Sequence, residues 1–431
     1  MDELKLKSLI LNHKERLFNT ESLIYRNILD RITKELDSRE IIFISGLRRS
    51  GKSSLMSLIA SKLLGERNIK RENLLFLNFE DERFINFTHH DFDKVLQIYK
   101  EIEAPEGKTY LFFDEIQNIE GWERWVNRLY EFEDCKIFIT GSNASLVSSD
   151  VSSVLTGRNR QVQLHPFSFK EFLASKNEAF EDRDLLLQKN KVKIKRAFYQ
   201  YLNLGGFPEV IKNEDVTLAE QYFKDIIYRD VIASHKLRNI KELRELCLHL
   251  ITNTGSISSY DSLKKTIDAK NTSTIKNYIA ILEDVYLIRS LSKYDFSIKK
   301  QIYNPDKYYV SDIGFYNAVG FSFSENYGKK LENIVYQELI RRNKEIFYWK
   351  SIKGNEVDFL VRKGTKVIEA YQVTYYLNKE NIERELSGLV HCRDEFGDIK
   401  MVLLTNEQEE IIDYQGINVK LFPIWKWLLT N

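Results

Sequence analysis

Short runs of consecutive apolar residues alternate with helical periodicity in the first third of the chain. Ile41–Ile44 is rich in β-branched residues, which is typical of a strand buried on both faces of a parallel sheet. A Gly-rich loop follows, and apolar residues then recur at helical spacing from about Ser54 to Leu64. Tyr110–Phe113 is another apolar run of strand length. This alternation predicts an α/β fold built on a parallel sheet.

The loop after the first strand has glycine, lysine and serine at a fixed spacing: Gly46, four residues, and then Gly51-Lys52-Ser53. Strand, loop and helix follow one another in the order that a phosphate-binding P-loop requires. Backbone N–H groups and the helix N-terminus would surround the phosphates, with Lys52 at the β- and γ-phosphates and the Ser53 hydroxyl on Mg²⁺. The predicted nucleotide-binding residues are Gly46, Ser50, Gly51, Lys52, Ser53 and Ser54.

Two adjacent acidic residues, Asp114 and Glu115, directly follow the apolar run that ends at Phe113. A strand that ends in this way downstream of a P-loop resembles a Walker B motif. Asp114 would hold Mg²⁺ through water, and Glu115 would orient and polarise the water that attacks the γ-phosphate. ATP and Mg²⁺ are therefore the predicted cofactors, with Glu115 and Lys52 as catalytic residues.

Two further positions are candidates for contact with the γ-phosphate. A strand that begins at Cys135 ends near Ser142 and Asn143, and ligands bind at the carboxyl ends of strands in open α/β sheets. We prefer Asn143 to Ser142 as the sensor residue. Arg158 and Arg160 lie in a polar loop, from which a neighbouring subunit often supplies an arginine in ring or dimer ATPases. Arg158 is the catalytic candidate, and a surface role is the alternative for both arginines.

The middle of the chain is helix-rich and ends in a different pattern. Helical periodicity runs from Lys170 to about Arg238 and is interrupted at Gly205-Gly206. Three helices, the third capped near Asn271, and two strands then follow in the order of a helix-turn-helix with a wing. Ser256–Tyr308 contains nine Lys plus Arg and six Asp plus Glu, so DNA binding and protein packing both stay open. The predicted DNA-contacting residues are Lys276 and Asn277 on the third helix, with Lys299 and Lys300 in the wing, whose second strand is predicted in KQIYNPDKYYV.

The last hundred residues resemble a PD-(D/E)xK nuclease fold in their order of helix, three strands, helix and strand. Glu332 lies on the first helix and Asp358 on the second strand, and an active site would add an acid and a lysine two residues apart on the third. One register of that strand offers Glu369 and the preferred register offers Gln372, and neither supplies the lysine. We therefore predict a retained fold with a disabled site.

Any residual nuclease activity would depend on acids that cluster near one edge of this predicted sheet. A lysine from elsewhere in the chain would then have to take the missing role. The acids concerned are Glu332, Glu356, Asp358 and Glu369, and the nearest lysines in sequence are Lys350, Lys353 and Lys366.

These motifs occur together in a widespread group of bacterial and archaeal AAA-type ATPases, which this chain resembles over nearly its whole length. The segments concerned are GLRRSGKSS, FFDEIQNIEGWE, ITGSNA, LTGR, HPFSFKEF, GGFPEV, VSDIGFYNAV and NEVDFLV. The group pairs an ATPase module with a C-terminal domain of unknown function and is distantly similar to signal-transduction ATPases. The implied domains are a P-loop ATPase (1–168), a helical lid (169–238), a winged helix (239–318) and a nuclease-like α/β domain (319–431).

Length and composition limit the remaining alternatives. A chain of 431 residues is too long for one ordinary core, and its formal charge of +1 restricts any nucleic-acid surface to a local patch. Three widely separated cysteines show no zinc spacing. No segment has the pattern of a signal peptide or membrane span, so we expect a cytoplasmic protein without a membrane partner. The sequence does not decide whether the chain forms a homo-oligomer.

The sequence thus favours a Mg²⁺-dependent, ATP-hydrolysing switch of the AAA type that binds DNA through its winged helix. Two alternatives come from different classes of protein. One is an ATP-gated regulatory protein that binds another protein, and the other is an active metal-dependent nuclease.

Overall fold

The structure is a computed structural model of a mixed α/β protein. The chain forms two compact units, Met1–Pro166 with Asp284–Tyr286, and Phe167–Glu283 with Leu287–Asn431. Among the described residues, no helix is both long and apolar enough to cross a membrane. The structure describes residues 2–144, 155, 157–180, 183–235, 237, 239–321 and 326–430.

A five-stranded sheet forms the centre of the first unit, and all its neighbouring strands are parallel, as predicted. The strand order is β2-β3-β4-β1-β5, so β1 is flanked on both sides and the loop that follows it leaves from the middle of the sheet. The strands are β1 (Ile41–Ser45), β2 (Leu74–Asn78), β3 (Thr109–Asp114), β4 (Cys135–Gly141) and β5 (Asn159–Gln163). The helices are α1 (Glu3–Phe18), α2 (Ile28–Thr33), α3 (Lys52–Glu66), α4 (Phe92–Glu103) and α5 (Trp122–Phe132).

Both faces of β1 to β4 are buried, which explains the uninterrupted apolar runs of these four strands. Along β3, Leu111 and Phe113 belong to one apolar cluster, whereas Tyr110 and Phe112 belong to the cluster on the opposite face. Phe112 stacks on Phe138 of the neighbouring strand with ring centroids 4.6 Å apart. The carboxyl ends of β1, β3 and β4 are thereby fixed side by side.

The second unit begins with helices and a small antiparallel sheet of strand order β6-β8-β7. A π-helical segment, Ile226–Ala233, follows α9, and position 238, where the predicted lid ends, lies outside the described residues. The helices are α6 (Phe169–Ser175), α7 (Gln188–Leu204), α8 (Pro208–Asn213), α9 (Thr217–Asp225), α10 (Ile240–Thr252), α11 (Tyr260–Thr266), α12 (Thr272–Asp284), α13 (Ile298–Tyr303) and α14 (Ile313–Val319). The strands are β6 (Ile257–Ser258), β7 (Ile288–Leu291) and β8 (Asp306–Val310).

The segment predicted as the second strand of a wing is partly helical, and this corrects the placement of Lys299 and Lys300. Both lysines lie on α13, and the strand begins only at Asp306. Asp295 explains the helix, because its carboxylate accepts a hydrogen bond from the Ser297 backbone N–H. Its carbonyl oxygen also accepts one from the Gln301 side chain at 2.6 Å.

The remainder of the second unit is a six-stranded sheet of order β13-β14-β12-β11-β10-β9. The predicted elements are present as far as β12, whereas the hairpin of β13 and β14 was not predicted. Its turn residues Gln415 and Gly416 both have positive φ values, as tight hairpin turns require. The strands are β9 (Glu345–Lys350), β10 (Glu356–Lys363), β11 (Lys366–Val373), β12 (Lys400–Thr405), β13 (Glu410–Tyr414) and β14 (Ile417–Pro423), and the helices are α15 (Tyr327–Arg341), α16 (Ile382–Phe396) and α17 (Ile424–Trp427).

Two sequence motifs of the second unit contact each other through the buried carboxylate of Asp312. Its two oxygens accept hydrogen bonds from the Gly206 and Gly314 backbone N–H groups, each at 2.8 Å. A Cβ atom on Gly205 would lie 2.1 Å from the same carboxylate, so the glycine is required by close packing. The motif GGFPEV is thus joined to the motif VSDIGFYNAV.

Candidate functional site

The loop between β1 and α3 approaches neighbouring backbone so closely that glycine is needed at two positions. A Cβ atom on Gly46 would lie 2.2 Å from the carbonyl oxygen of Leu164, which follows β5. Gly51 directly precedes α3 and has a φ of 96°, a value that residues with a side chain rarely adopt. The loop is therefore tight, and it ends at the N-terminus of a 15-residue helix.

Arg26, which lies between α1 and α2 and was not predicted as a site residue, forms a hydrogen bond to this loop. Its buried guanidinium donates to the carbonyl oxygen of Ser50 at 2.9 Å and to that of His165 at 2.6 Å. These bonds tie the loop to the segment after β5. No motif marks Arg26, because its partners are backbone atoms distant in sequence.

The side chain of Lys52 lies buried against its own loop and against the ends of β3 and β4. Its Nζ donates to the Gly46 carbonyl oxygen at 3.1 Å and to the Ser142 hydroxyl at 3.0 Å, and it lies 3.2 Å from Oε1 of Glu115. A P-loop lysine that contacts carbonyl oxygens and a carboxylate already binds the kind of oxygen that a phosphate presents. The role of Lys52 at the β- and γ-phosphates stays a prediction.

Ser53 and Asp114 meet directly, as expected for a shared metal ion. The Ser53 hydroxyl donates to Oδ2 of Asp114 at 2.6 Å, and the Thr140 hydroxyl donates to Oδ1 at 2.5 Å. Burial and then the charge of Glu115 raise the pKa of Asp114 to about 6, against the effect of these two hydrogen bonds. A hydroxyl and a carboxylate are oxygen ligands that Mg²⁺ prefers, so this pair fits the predicted metal.

Glu115 has an unusual backbone conformation and a fully engaged carboxylate. Its φ is 50°, in the left-handed region, and its backbone N–H donates to the Thr140 hydroxyl at 3.0 Å. Its carboxylate accepts from Ser142 at 2.7 Å and from Gln117 at 2.5 Å. Burial acts to raise the pKa of Glu115, but Lys52 and these donors outweigh it, so the net pKa is lowered. The carboxylate is therefore held ionised, as a group that polarises water must be.

The remaining predicted nucleotide-binding residues occupy different environments. Ser50 is buried, and its hydroxyl has no hydrogen-bond partner within the described part of the chain. Ser54 is exposed on the first turn of α3. Ser142, rather than Asn143, supplies the hydroxyl that contacts both Lys52 and Glu115. The choice of Asn143 as the sensor residue therefore stays a prediction, and Ser142 is the alternative that makes these contacts.

Arg158 lies at the opposite end of the sheet from these residues, so it does not complete the site of its own chain. Its carbonyl oxygen accepts a hydrogen bond from Ile41, the first residue of β1, whereas the P-loop follows the last residue. Four residue steps of a strand span about 13 Å. The guanidinium instead contacts Asn127 and pairs with Glu131 at 2.7 Å. Thr156 of the same LTGR motif lies outside the described residues.

In the second unit, the acids predicted to cluster do so only in part. Glu332, Glu356 and Asp358 all lie within 3.0 Å of the Lys307 ammonium. Glu369 lies elsewhere, because its carboxylate contacts Tyr371 and Lys400. This corrects the expectation that Glu369 joins the cluster.

The side chain of Gln372 lies next to Asp358. Its Oε1 accepts a hydrogen bond from the Asp358 backbone N–H at 3.2 Å. This agrees with the preferred register of β11, in which Gln372 takes the position of the second acid.

Comparison with protein families divides the chain into three matched segments. Residues 38–173 match the model described as an AAA domain. Residues 195–326 and 327–427 match two models described as domains of unknown function, DUF8612 and DUF4143. The AAA match covers β1 to α6 and therefore includes the whole site around Lys52.

Solved structures similar to this chain include the Aeropyrum pernix ORC1 protein in complex with DNA and AMPPCP-bound DnaA from Aquifex aeolicus. The first is 13% identical, covers 74% of this chain and 94% of its own, and has a TM-score of 0.31. The second is 19% identical, covers 62% and 91%, and has a TM-score of 0.28. TM-scores this low carry no argument about function.

Two uncharacterized proteins are similar over almost the full length. One, from Methanocaldococcus jannaschii, is 34% identical over 98% of this chain and 96% of its own. The other, from Haemophilus influenzae, is 30% identical over 94% of this chain and 98% of its own. The chain therefore belongs to a family of archaeal and bacterial P-loop ATPases in which an AAA domain is followed by two domains of unknown function.

Proposed function

We propose that this protein binds ATP with Mg²⁺ and hydrolyses it, using the cycle as a switch. The convergence of Lys52, Ser53, Asp114 and Glu115 carries this proposal. These residues come from two separate chain segments, which are connected by a hydrogen bond from Ser53 to Asp114 and by an ion pair between Lys52 and Glu115. Such an arrangement provides a cation for phosphate oxygens, a metal-binding pair and an ionised carboxylate within one small site.

Each residue would act through its present neighbours. The Lys52 ammonium would exchange the Gly46 carbonyl oxygen for phosphate oxygens, and the Ser53 hydroxyl and Asp114 carboxylate would ligate Mg²⁺. The metal would neutralise charge on the β- and γ-phosphates. Glu115, kept ionised by Lys52 and Ser142, would orient the attacking water.

Glu115 is also the residue that links the state of the nucleotide to the protein. Its carboxylate shares Ser142 with Lys52, so movement of the lysine onto phosphates would leave Glu115 with one partner fewer. We propose that this exchange is the local event of the switch, since it changes the contacts of Ser142, which follows β4.

The purified protein should hydrolyse ATP in the presence of Mg²⁺ and stop when the metal is chelated. Lys52→Ala should abolish tight ATP binding, because it removes the buried ammonium that would contact the β- and γ-phosphates. Lys62→Ala, on the same helix but paired with Glu66, is the matched control. ATP binding by the Lys52 variant at the wild-type affinity would reject the assignment.

DNA is the proposed macromolecular partner. On α12, Ile275, Tyr278 and Ile279 are buried, whereas Lys276 and Asn277 are exposed. The helix thus presents a polar face beside the small antiparallel sheet, as a winged helix would. A regulatory protein partner is the alternative, and a failure of salt-sensitive DNA binding would favour it.

The position of Arg158 bears on assembly. Because it lies at the far end of β1 from the P-loop, it would complete a nucleotide site only in another copy of the chain. We propose a homo-oligomer in which Arg158 serves the neighbouring site. Mixing Lys52→Ala and Arg158→Ala chains should then restore part of the ATPase activity that each lacks alone, whereas an Arg158→Ala chain with wild-type activity would reject this role.

A further inference from the structure

A buried lysine lies at the centre of three carboxylates in the second unit. Lys307 lies on β8, the middle strand of the three-stranded sheet, and is only 2% exposed. Its Nζ lies 3.0 Å from Oε1 of Glu332, 2.8 Å from Oε1 of Glu356 and 2.9 Å from Oδ1 of Asp358. One ammonium therefore makes three charge-assisted contacts, one for each of its N–H donors.

Further donors hold two of these carboxylates. The Tyr309 hydroxyl donates to Oε1 of Glu332, the oxygen that Lys307 also contacts, at 2.7 Å. The Val373 backbone N–H donates to Oδ2 of Asp358, the oxygen that Lys307 does not contact, at 3.0 Å. Glu332 and Asp358 are thus fixed by the fold, whereas Glu356 is partly exposed.

Gln372 shows why an amide replaces an acid at this point. Its Oε1 accepts from the Asp358 backbone N–H, and its Nε2 donates to Oε2 of the buried Glu385 at 3.0 Å. A carboxylate at position 372 would have no proton to donate and would be repelled by Glu385. The glutamine therefore serves as a structural bridge, and its oxygen is already occupied.

The nuclease fold that this part of the chain resembles implies a divalent metal among these acids, and the residues present do not fit one. An ammonium within 3.0 Å of all three carboxylates would repel a second cation there.

We propose that the Lys307 ammonium is the resident cation of this cluster, in the place that a divalent metal would take in a nuclease of this fold. This ammonium joins β8 of the small sheet to α15 and β10, so the cluster stabilises the packing of these three elements within the second unit. Burial acts to lower the pKa of Lys307, but the charges of the surrounding carboxylates have the larger effect. The pKa of Lys307 is therefore raised well above its usual value. The lysine therefore stays protonated.

Mn²⁺ binding in the absence of nucleotide, measured by electron paramagnetic resonance, tests this proposal. All chains compared carry Ser53→Ala, so that the P-loop contributes no hydroxyl ligand. The parent chain should bind no Mn²⁺ through the cluster. Lys307→Met roughly keeps the length of the side chain but removes its charge, so the three acids should now bind one equivalent of Mn²⁺. The melting temperature of this variant should then be higher with Mn²⁺ than without it. Lys307→Met with Asp358→Asn should lose this binding, and Lys307→Arg should not gain it.

Two results would overturn the proposal. Stoichiometric Mn²⁺ binding by the parent that Asp358→Asn abolishes would show that the cluster is a working metal site. A folded Lys307→Met chain that binds no Mn²⁺ and melts like the parent would show that the acids need no cation. If Lys307→Met does not fold, neutralising the acids with Glu332→Gln and Asp358→Asn should restore folding, and failure of that rescue would equally reject the counter-ion role.

Discussion

The Ser53 hydroxyl donates a hydrogen bond of 2.6 Å to Oδ2 of Asp114, and this contact joins the P-loop to the end of the third strand. The two residues lie 61 positions apart in sequence, yet they present adjacent oxygens. Strand order places β4 between β1 and β3, so the contact crosses the end of β4, where Thr140 provides the second hydrogen bond to Asp114. The proposed metal site therefore depends on the parallel sheet for its geometry.

Ser53→Ala should raise the Mg²⁺ concentration needed for half-maximal ATP hydrolysis by about tenfold or more. The reason is the loss of one of two protein ligands, a change of roughly 1.4 kcal/mol or above in metal binding. A titration of ATPase activity against Mg²⁺ measures this shift. Ser61→Ala, an exposed serine on the same helix, is the control and should leave the titration unchanged.

Arg26→Met should weaken ATP binding although Arg26 is not expected to contact the nucleotide. Its two hydrogen bonds to backbone carbonyl oxygens hold the loop, and loss of charged hydrogen bonds of this kind costs about 1.5–3 kcal/mol. Isothermal titration with a non-hydrolysable ATP analogue should show a dissociation constant raised at least about tenfold. Arg31→Met, which is exposed, provides the comparison, and equal affinities of the two variants would contradict a positioning role.

Alanine substitution of Lys276, Lys299 and Lys300 should weaken DNA binding and reduce its dependence on salt. Each lysine that contacts a phosphate contributes about one unit to the slope of log affinity against log salt concentration. Fluorescence anisotropy at several salt concentrations gives this slope. The control for net charge is a variant with Lys189→Ala, Lys193→Ala and Lys212→Ala, three exposed positions on α7 and α8. Identical slopes for both variants would move the DNA site elsewhere.

The stability of the second unit should depend on the protonation of Glu332. Burial and then the charge of Asp358 raise its pKa from 4.5 to about 7, against the effect of Lys307. The folded state thus binds the proton more tightly, so the contribution of Glu332 to stability is full below its unfolded pKa and is lost as pH rises through about 7. The free energy of unfolding of wild type relative to Glu332→Gln should therefore fall between pH 5 and pH 8.

Urea titrations at each pH measure this difference, because the amide introduced by Glu332→Gln has no titrating proton. Parallel stability curves for the two chains across the range would show that Glu332 has an ordinary pKa in the folded protein. The free energy of unfolding is the quantity to compare, and not ATPase activity, because Glu332 lies in the second unit and the P-loop lies in the first.

The parts of the structure that were predictable have local sequence signals. Gly46, Gly51 and the strand before them lie within a dozen residues, so spacing alone defines the loop. The acids that follow β3 are equally local. The burial of the strands on both sheet faces explains why the apolar pattern was easy to interpret.

What the sequence missed is determined by contacts between distant segments. Lys307 enters an acid cluster from a strand 25 residues before Glu332 and 51 before Asp358, whereas sequence spacing suggested only lysines closer to the acids. Arg26 binds backbone atoms, which carry no sequence signal. The start of helix α13 is stabilised by two local hydrogen bonds to Asp295, from Ser297 and from Gln301, within a segment of strand-like composition.

The most direct test of the central claim is the ATPase activity of Glu115→Gln, measured beside its ATP affinity. The amide keeps the shape of the side chain and its contact distance to Ser142 but removes the charge that polarises water, so binding should persist while hydrolysis falls by about 100-fold or more. Gln117→Ala, which alters only a neighbour of the carboxylate, should cost much less. Hydrolysis by Glu115→Gln at the wild-type rate would contradict the assignment of Glu115 and with it the proposed mechanism.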